Sequence, residues 1–218
     1  MKNFKKIKSV FLLLLCVVSF SDCKKINYLT DGGVHNVSTP LSTYDYLKGN
    51  ENHLFDTTIL IIDHFNLKND INSAGTFFAF TNYSVTLLMA SLQVNNLNAL
   101  YDSLSVGFVK QYMFAAKNIN LAEATLASVA VTNLAGNLAS SAVKKIPGAY
   151  TVYLVNSNPN FNYFTLMYVK VNGVIDGSPN APSDDLRDVS IPCQTTGIIT
   201  STGTTLHVLN NLAPLNKL

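Results

Sequence analysis

Histidine is the residue type in this chain best suited to acid–base or metal chemistry, and the sequence contains four. His207 lies between Leu206 and Val208 in an alternating segment, where it could act as a base or ligand. We interpret it instead as a structural, hydrogen-bonded histidine. The others follow no H-E-x-x-H pattern and have no acidic partner at ligand spacing: His35, His53 and His64. We therefore predict no metal site.

The sequence also lacks the usual settings of a nucleophile. No G-x-S-x-G is present, and Ser140-Ser141 lies in an alanine-rich stretch without a glycine elbow. Cys193 follows Pro192 without a histidine neighbour, so we interpret it as a buried small hydrophobic residue. The phosphate-binding patterns G-x-G-x-x-G and G-x-x-x-x-G-K are absent as well. We predict no enzymatic activity and no cofactor.

The acidic residues are densest in a Gly- and Pro-containing segment, with Asp184-Asp185 and Asp188 beside Asp176. Loop carboxylates can hold calcium, but the spacing of an EF-hand is missing. We interpret this segment as a solvated loop.

Aromatic side chains offer a different chemistry. Phe161 and Tyr163 alternate along a predicted strand and so share one face, with Asn158 nearby. Exposed aromatic rings of this kind can stack on sugar rings, and asparagine suits polar recognition. The alternative is that this face belongs to the core. Asn158, Phe161 and Tyr163 are thus the candidate ligand-binding residues.

The elements that must position these residues change character along the chain. Leu41 to Leu92 shows apolar residues at helical spacing, interrupted by an aromatic strand at Thr76 to Phe80. Patchy helical periodicity continues from Leu97 to Leu138. From Ala149 onward, β-branched and aromatic runs predict strands. We predict an α+β fold with N-terminal and central helices, in which the early strand joins the later sheet.

The amino terminus indicates export. A lysine-rich start precedes the apolar run Val10 to Phe20, which is too short to span a bilayer comfortably. The run ends before Cys23 in a segment that resembles a bacterial lipoprotein signal. We predict a signal peptide at 1–22, a lipidated Cys23 opening a tether at 23–40, and one domain at 41–218. The alternative is ordinary secretion, with Cys23 a bystander or a disulfide partner of Cys193.

Charge and composition exclude other classes. The 218 residues carry a formal net charge of +2, and residues 1–22 contain four lysines and one aspartate. Removing that segment therefore leaves −1, which argues against nucleic-acid binding. Since 48% of residues are hydrophobic, the chain has enough apolar surface to fold.

Three blocks in order resemble a fasciclin domain over roughly Leu41 to Leu215. They are Phe55-Asp56-Thr57-Thr58 with Ile61-Ile62-Asp63, then Gly75 to Asn82, and finally Gly203 to Asn210. The resemblance implies a twisted β-sheet wedge with helices that serves adhesion or matrix interaction rather than catalysis. It implies structural roles for the motif residues Thr76, Phe77, Phe78, Thr81, Asn82, Gly203 and His207.

The chain departs from that family at three places. Phe80 stands where proline is usual, and the central Tyr-His pair corresponds to Tyr112-Met113. The Asp-Ile pair tied to integrin binding in animal members falls near Gly197-Ile198. Animal-type integrin binding is therefore not implied.

We thus expect a non-catalytic cell-envelope lipoprotein, in the outer membrane and facing the periplasm or the surface, that binds a protein or glycan partner. If Cys23 is not lipidated, we expect a secreted protein. The alternative function is a carbohydrate-binding accessory of a surface glycan-uptake or assembly system.

Overall fold

The computed structural model describes residues 37–116, 119–136, 140–151, 160–179, 182 and 186–215. They belong to one compact unit that begins at Val37. Its helices are α1 (Thr43–Lys48), α2 (Asp56–His64), α3 (Lys68–Ser73), α4 (Asn82–Ser91), α5 (Leu97–Ser103) and α6 (Val106–Lys110). Its strands are β1 (Thr76–Ala79), β2 (Met113–Phe114), β3 (Val129–Ala130), β4 (Ser141–Thr151), β5 (Asn160–Lys170), β6 (Val189–Ile199) and β7 (Thr205–Leu209).

The helices are short, and three of them begin at polar side-chain caps. The side chains of Ser42, Asn96 and Ser105 each accept a backbone hydrogen bond at the first turn of a helix. Buried aliphatic side chains of α2 then attach the helical half to the sheet, including Ile59 and Ile62. None of the helices in the described part of the chain has the length and apolarity needed to cross a bilayer.

The seven strands form one mixed sheet in the order β2-β1-β7-β6-β5-β4-β3. β1 runs parallel to β7, from Thr76 beside Thr205 to Ala79 beside Val208, and the other neighbours are antiparallel. Every residue of β1 and β7 is buried. The α+β class and the pairing of the early strand with the later sheet are therefore confirmed.

The main core joins residues of the helices to side chains from both faces of β1 and β7. Its centre is an aromatic cluster in which Phe78 contacts Phe114, Tyr168 and His207, with ring centroids 4.8–5.6 Å apart. Tyr112 adds a further ring, 5.3 Å from Tyr168. The contacts of Phe78 join β1 to the strands β5 and β7, which follow 80 or more residues later, so the sheet cannot form from local segments alone.

The helices predicted between Leu97 and Leu138 are confirmed only as far as Lys110. The helices of that stretch end at Lys110, and β2 and β3 follow. The strand predicted from Ala149 begins earlier, at Ser141, because Ser141 and Val143 face the core although serine and lysine dominate the local composition. Val189 and Ile198 lie in a single strand, β6, whose register with β7 shifts after Cys193 and after Thr195.

Residues at the end of the predicted tether make regular contacts with the sheet. The Thr39 amide donates to the Ile199 carbonyl at 2.8 Å, and the Ile199 amide donates to the Val37 carbonyl. Threonine hydroxyls continue this contact inward, since Thr43 Oγ1 lies 3.0 Å from Thr200 Oγ1. The chain therefore enters the domain alongside the end of β6.

Candidate functional site

His207 is completely buried in β7, between two backbone partners. The Gly197 amide donates to Nδ1 at 3.1 Å, and Nε2 lies 2.8 Å from the Ile119 carbonyl. Since Nδ1 accepts, the proton is on Nε2, which donates to that carbonyl. Burial lowers the pKa of His207 to about 4, although the bond to Ile119 opposes the shift. The ring is a neutral crosslink with both nitrogens in use.

The other motif residues also hold the scaffold together. Thr76 Oγ1 donates to the Ala116 carbonyl at 2.7 Å, and Phe77 is fully buried beside it in β1. Phe78 stacks on the His207 ring. Gly203 forms the turn before β7 with φ of +82°, a conformation that other residues adopt at a cost.

Thr81 and Asn82 connect the start of α4 to three separate segments. Thr81 Oγ1 donates to Asn211 Oδ1 at 3.0 Å. The Asn82 side chain accepts from the Thr57 amide at 2.8 Å and donates to the His53 carbonyl at 2.6 Å. Their polar groups are thus engaged in loop anchoring.

Two other side chains that could act as nucleophiles, Cys193 and Ser141, are also buried. Cys193 has a free thiol that is only 7% exposed and packs in the core, where burial raises the pKa of the thiol and disfavours the nucleophilic thiolate. Ser141 Oγ lies 3.1 Å from the Tyr168 hydroxyl and accepts from Asn133 Nδ2.

The described part of the acidic loop uses carboxylates to fix its own backbone. Asp188 accepts from the Asn172 amide at 3.0 Å and from the Asp176 amide at 2.9 Å, and Asp176 accepts from the Asp188 amide. Asp184 and Asp185 lie outside the described residues. No three His, Cys, Asp or Glu side chains within the described ranges are grouped to hold a metal ion.

The outer end of the β4–β5 hairpin differs from these regions. β5 pairs with β4 along its whole length but with β6 only over Met167–Lys170. We call Ile146–Thr151 with Asn160–Thr165 the hairpin end. Over the hairpin end β5 pairs with β4 alone, as a two-stranded ribbon, and a ribbon buries less side-chain area than the centre of a sheet.

One face of the hairpin end gathers exposed apolar groups. Phe161 and Tyr163 point to the same side, opposite the core-facing row that contains Leu166 and Tyr168. Tyr163 is 49% exposed and Ile146 is 40% exposed, while Phe161 is half-buried. We call Ile146, Gly148, Phe161, Tyr163 and Thr165 the aromatic face.

Glycine allows the Tyr163 ring to lie close to the backbone of the neighbouring strand. Gly148 is paired with Tyr163, and a Cβ placed on Gly148 would overlap the outer ring atoms. The ring therefore covers the glycine as a flat surface. On the opposite side, Lys145 Nζ lies 5.1 Å from the Phe164 ring centre, a cation–π contact.

The candidate binding residues are thus partly brought together. Phe161 and Tyr163 share the aromatic face, whereas Asn158 lies outside the described residues. The predicted lipidation site, Cys23, also lies outside them.

Sequence reasoning missed a polar cleft at the other end of β5. The cleft has a volume of about 430 Å³ between the α5–α6 connection and the hairpin. Its lining includes Ser105, Gln111, Ser140 and Lys170, with the Phe108 ring at its apolar side. A signal was present, since Lys170 continues the core-facing row of Leu166 and Tyr168.

The sequence matches no protein-family model and no curated protein.

Proposed function

We propose that this protein is a fasciclin-like lipoprotein of the cell envelope that binds a protein or glycan partner at the aromatic face and catalyses no reaction. Lipid on Cys23 would hold it in the outer membrane, facing the periplasm or the surface, and the tether would set its reach. Without the lipid, the same domain would act as a secreted binding module.

The exposed aromatic face is the observation that carries this proposal. Tyr163 presents about half of its surface to solvent, in line with Phe161 and beside Ile146. Large, rigid aromatic side chains bind partners with little loss of conformational entropy, and they dominate many interfaces. At the hairpin end these side chains lie on a ribbon that does not pair with β6, and the exposed Tyr163 ring is open to a large partner.

The motif residues support the fasciclin-like part of the proposal. Phe78 and His207 meet across the parallel β1–β7 pair, although they come from blocks about 130 residues apart. Thr81 and Asn82 connect the start of α4 to the first and last parts of the unit. The resemblance therefore rests on residues that build a common scaffold, and it leaves the binding surface to this chain alone.

A carbohydrate-binding accessory is the second candidate. The flat Tyr163 ring over Gly148 suits the apolar face of a sugar ring, and Thr165 and Asn162 add hydrogen-bonding groups at the same end of the hairpin. A protein partner would instead need a broader contact that extends to Ile146.

A glycan array distinguishes the two candidates. We expect a glycan-binding domain to select a family of glycans and to lose that signal in Tyr163→Ala and Phe161→Ala. Tyr83→Ala is the matched control, because Tyr83 is a 59% exposed tyrosine on α4. Attachment to cells that persists after enzymatic removal of surface glycans, yet is lost in Tyr163→Ala, would identify a protein partner. Attachment unchanged by both hairpin substitutions would overturn the proposed surface.

Intact mass and detergent partitioning of the mature protein test the anchor. We expect a lipid adduct in the wild type that Cys23→Ala lacks, together with a shift of that variant to the aqueous phase. An unmodified wild-type product would refute the anchor and leave the secreted binding module.

A further inference from the structure

The cleft beside Lys170 contains an unusual placement of charge. Lys170 occupies the core-facing side of β5, and burial lowers its pKa. Its Nζ donates to Gln111 Oε1 at 3.4 Å, a long bond to a neutral amide. Within the described ranges, no carboxylate oxygen lies within 4.0 Å of this ammonium group. A half-buried cation without an anion is costly, so this position favours a negatively charged ligand.

Lys110, at the end of α6, shows the usual arrangement of a partly buried lysine, an ion pair with a carboxylate. Lys110 Nζ lies 2.6 Å from Asp70 Oδ1 in an ion pair. The charge of Lys110 is therefore neutralised by a side chain of the same protein, whereas the charge of Lys170 is not paired with a carboxylate of the described residues. Lys170 instead points its charge toward a cleft large enough for a small ligand.

The lining determines what kind of anion fits. Ser103, Ser105, Ser140 and Gln111 line the cleft, and Phe108 supplies an apolar wall. Hydroxyls and amides match a polyhydroxylated ligand, and an aromatic wall matches the apolar face of a sugar ring. A single lysine balances one negative charge, as in a carboxylate.

The frame of the cleft is fixed by buried hydrogen bonds. Asn133 Nδ2 donates to Ser140 Oγ and Ser141 Oγ, both at 2.9 Å. The Tyr168 hydroxyl lies 3.1 Å from Ser141 Oγ and donates to the Gln111 carbonyl at 3.4 Å. These bonds connect the two sides of the cleft, so its groups are held in place before a ligand arrives.

We propose that the Lys170 cleft binds the carboxylate of an acidic sugar of the hexuronic-acid class. The carboxylate would lie at Lys170 Nζ and Gln111, and the ring hydroxyls at the serines. This inference deepens the glycan form of the proposed function and rests on it. It identifies the glycan as acidic and adds a site distinct from the aromatic face.

Calorimetric titration of the purified protein with sodium glucuronate, glucose and acetate tests the site. We expect measurable binding of glucuronate only, and at least tenfold weaker binding in Lys170→Gln, since a bond to a charged group is lost. Lys170→Arg should retain binding within severalfold because the charge remains. Lys144→Gln, on the opposite face of β4, is the matched control and should bind as the wild type does.

Three results would overturn this assignment: no heat with glucuronate, equal binding of acetate, or glucuronate binding unchanged in Lys170→Gln. If Lys170→Gln fails to fold, Ser105→Ala and Gln111→Ala supply the comparison, each with a several-fold loss expected. Tyr163→Ala should leave glucuronate binding intact. The two proposals can therefore fail separately. Glycan-array binding that is unchanged in Tyr163→Ala, together with intact glucuronate binding, would overturn the aromatic face and leave the Lys170 cleft.

Discussion

The two ends of the sheet differ in how far their side chains are buried. In the β1–β7 pair every residue is buried, and both ring nitrogens of His207 are hydrogen-bonded internally. At the hairpin end, Tyr163 and Phe164 are nearly half-exposed on opposite sides of a ribbon that only β4 and β5 form. The buried histidine and the aromatic rings beside it thus stabilise the scaffold, and the exposed aromatic surface lies on the part of the hairpin that does not pair with β6.

Truncating one aromatic side chain at each end should show the largest difference. We expect Phe78→Ala to lower the free energy of unfolding by about 3–5 kcal/mol, because the cavity is completely buried. Tyr163→Ala should cost about 1 kcal/mol or less. Urea unfolding monitored by circular dichroism measures both. Similar losses would show that the hairpin end is as tightly packed as the core.

Acid should weaken the β1–β7 end specifically. The pKa of His207 is about 4 when folded and about 6.5 when unfolded, so the unfolded chain binds more protons between these values. This histidine's contribution to stability is complete above pH 6.5 and is lost as pH falls toward 4. The expected loss is about 3 kcal/mol. The pH dependence of urea unfolding measures it, with His207→Gln as the non-titrating control. A wild-type profile parallel to that of His207→Gln would contradict the buried neutral ring.

Gly75 and Gly148 differ in what a Cβ added at each position would contact. A Cβ on Gly75 would overlap the Ala115 backbone, which cannot move independently, whereas a Cβ on Gly148 would meet only the end of the Tyr163 side chain. We expect Gly75→Ala to destabilise by about 1–3 kcal/mol and Gly148→Ala to change stability by less than about 0.5 kcal/mol.

Thermal unfolding measures the effect of each substitution. Gly148→Ala should also reduce partner binding, because the Tyr163 ring must rotate away from its flat position. Unchanged binding would contradict the role of that ring position.

The smallest predicted difference concerns two buried tyrosines whose rings lie 5.3 Å apart. The Tyr168 hydroxyl has hydrogen-bond partners, whereas the buried Tyr112 hydroxyl has none among the described residues. Tyr168→Phe should therefore cost about 1 kcal/mol, while Tyr112→Phe should be neutral or slightly stabilising. Denaturant midpoints of the two variants resolve this, and an equal loss in both would show that the Tyr112 hydroxyl has a partner in solution.

The sequence predicted the coarse fold because its strongest patterns are local. The apolar runs at Thr76 and around His207 reflect strands that are buried on both faces, and the spacing of Phe55, Ile59 and Ile62 reflects a helix buried on one face. The strand at Ser141 escaped prediction because Ser141, Lys144 and Lys145 form strand structure only through pairing with β5.

The candidate sites were less predictable because they depend on where the sheet ends. Alternation placed Phe161 and Tyr163 on one face, but whether that face is core or surface depends on the short pairing between β5 and β6. The Lys170 cleft depends on long-range contacts with Gln111 and Ser140, which no local pattern shows. The sequence therefore left open whether Phe161 and Tyr163 form a binding surface or belong to the core. It did not predict the cleft.

The most direct test of this account is the affinity of the purified domain for whole-cell envelope preparations, measured for the wild type, Tyr163→Ala and Tyr83→Ala. The account predicts that Tyr163→Ala weakens binding at least tenfold with little change in unfolding free energy, while Tyr83→Ala binds as the wild type does. Equal binding by all three proteins would contradict the assignment of the partner surface to the hairpin end.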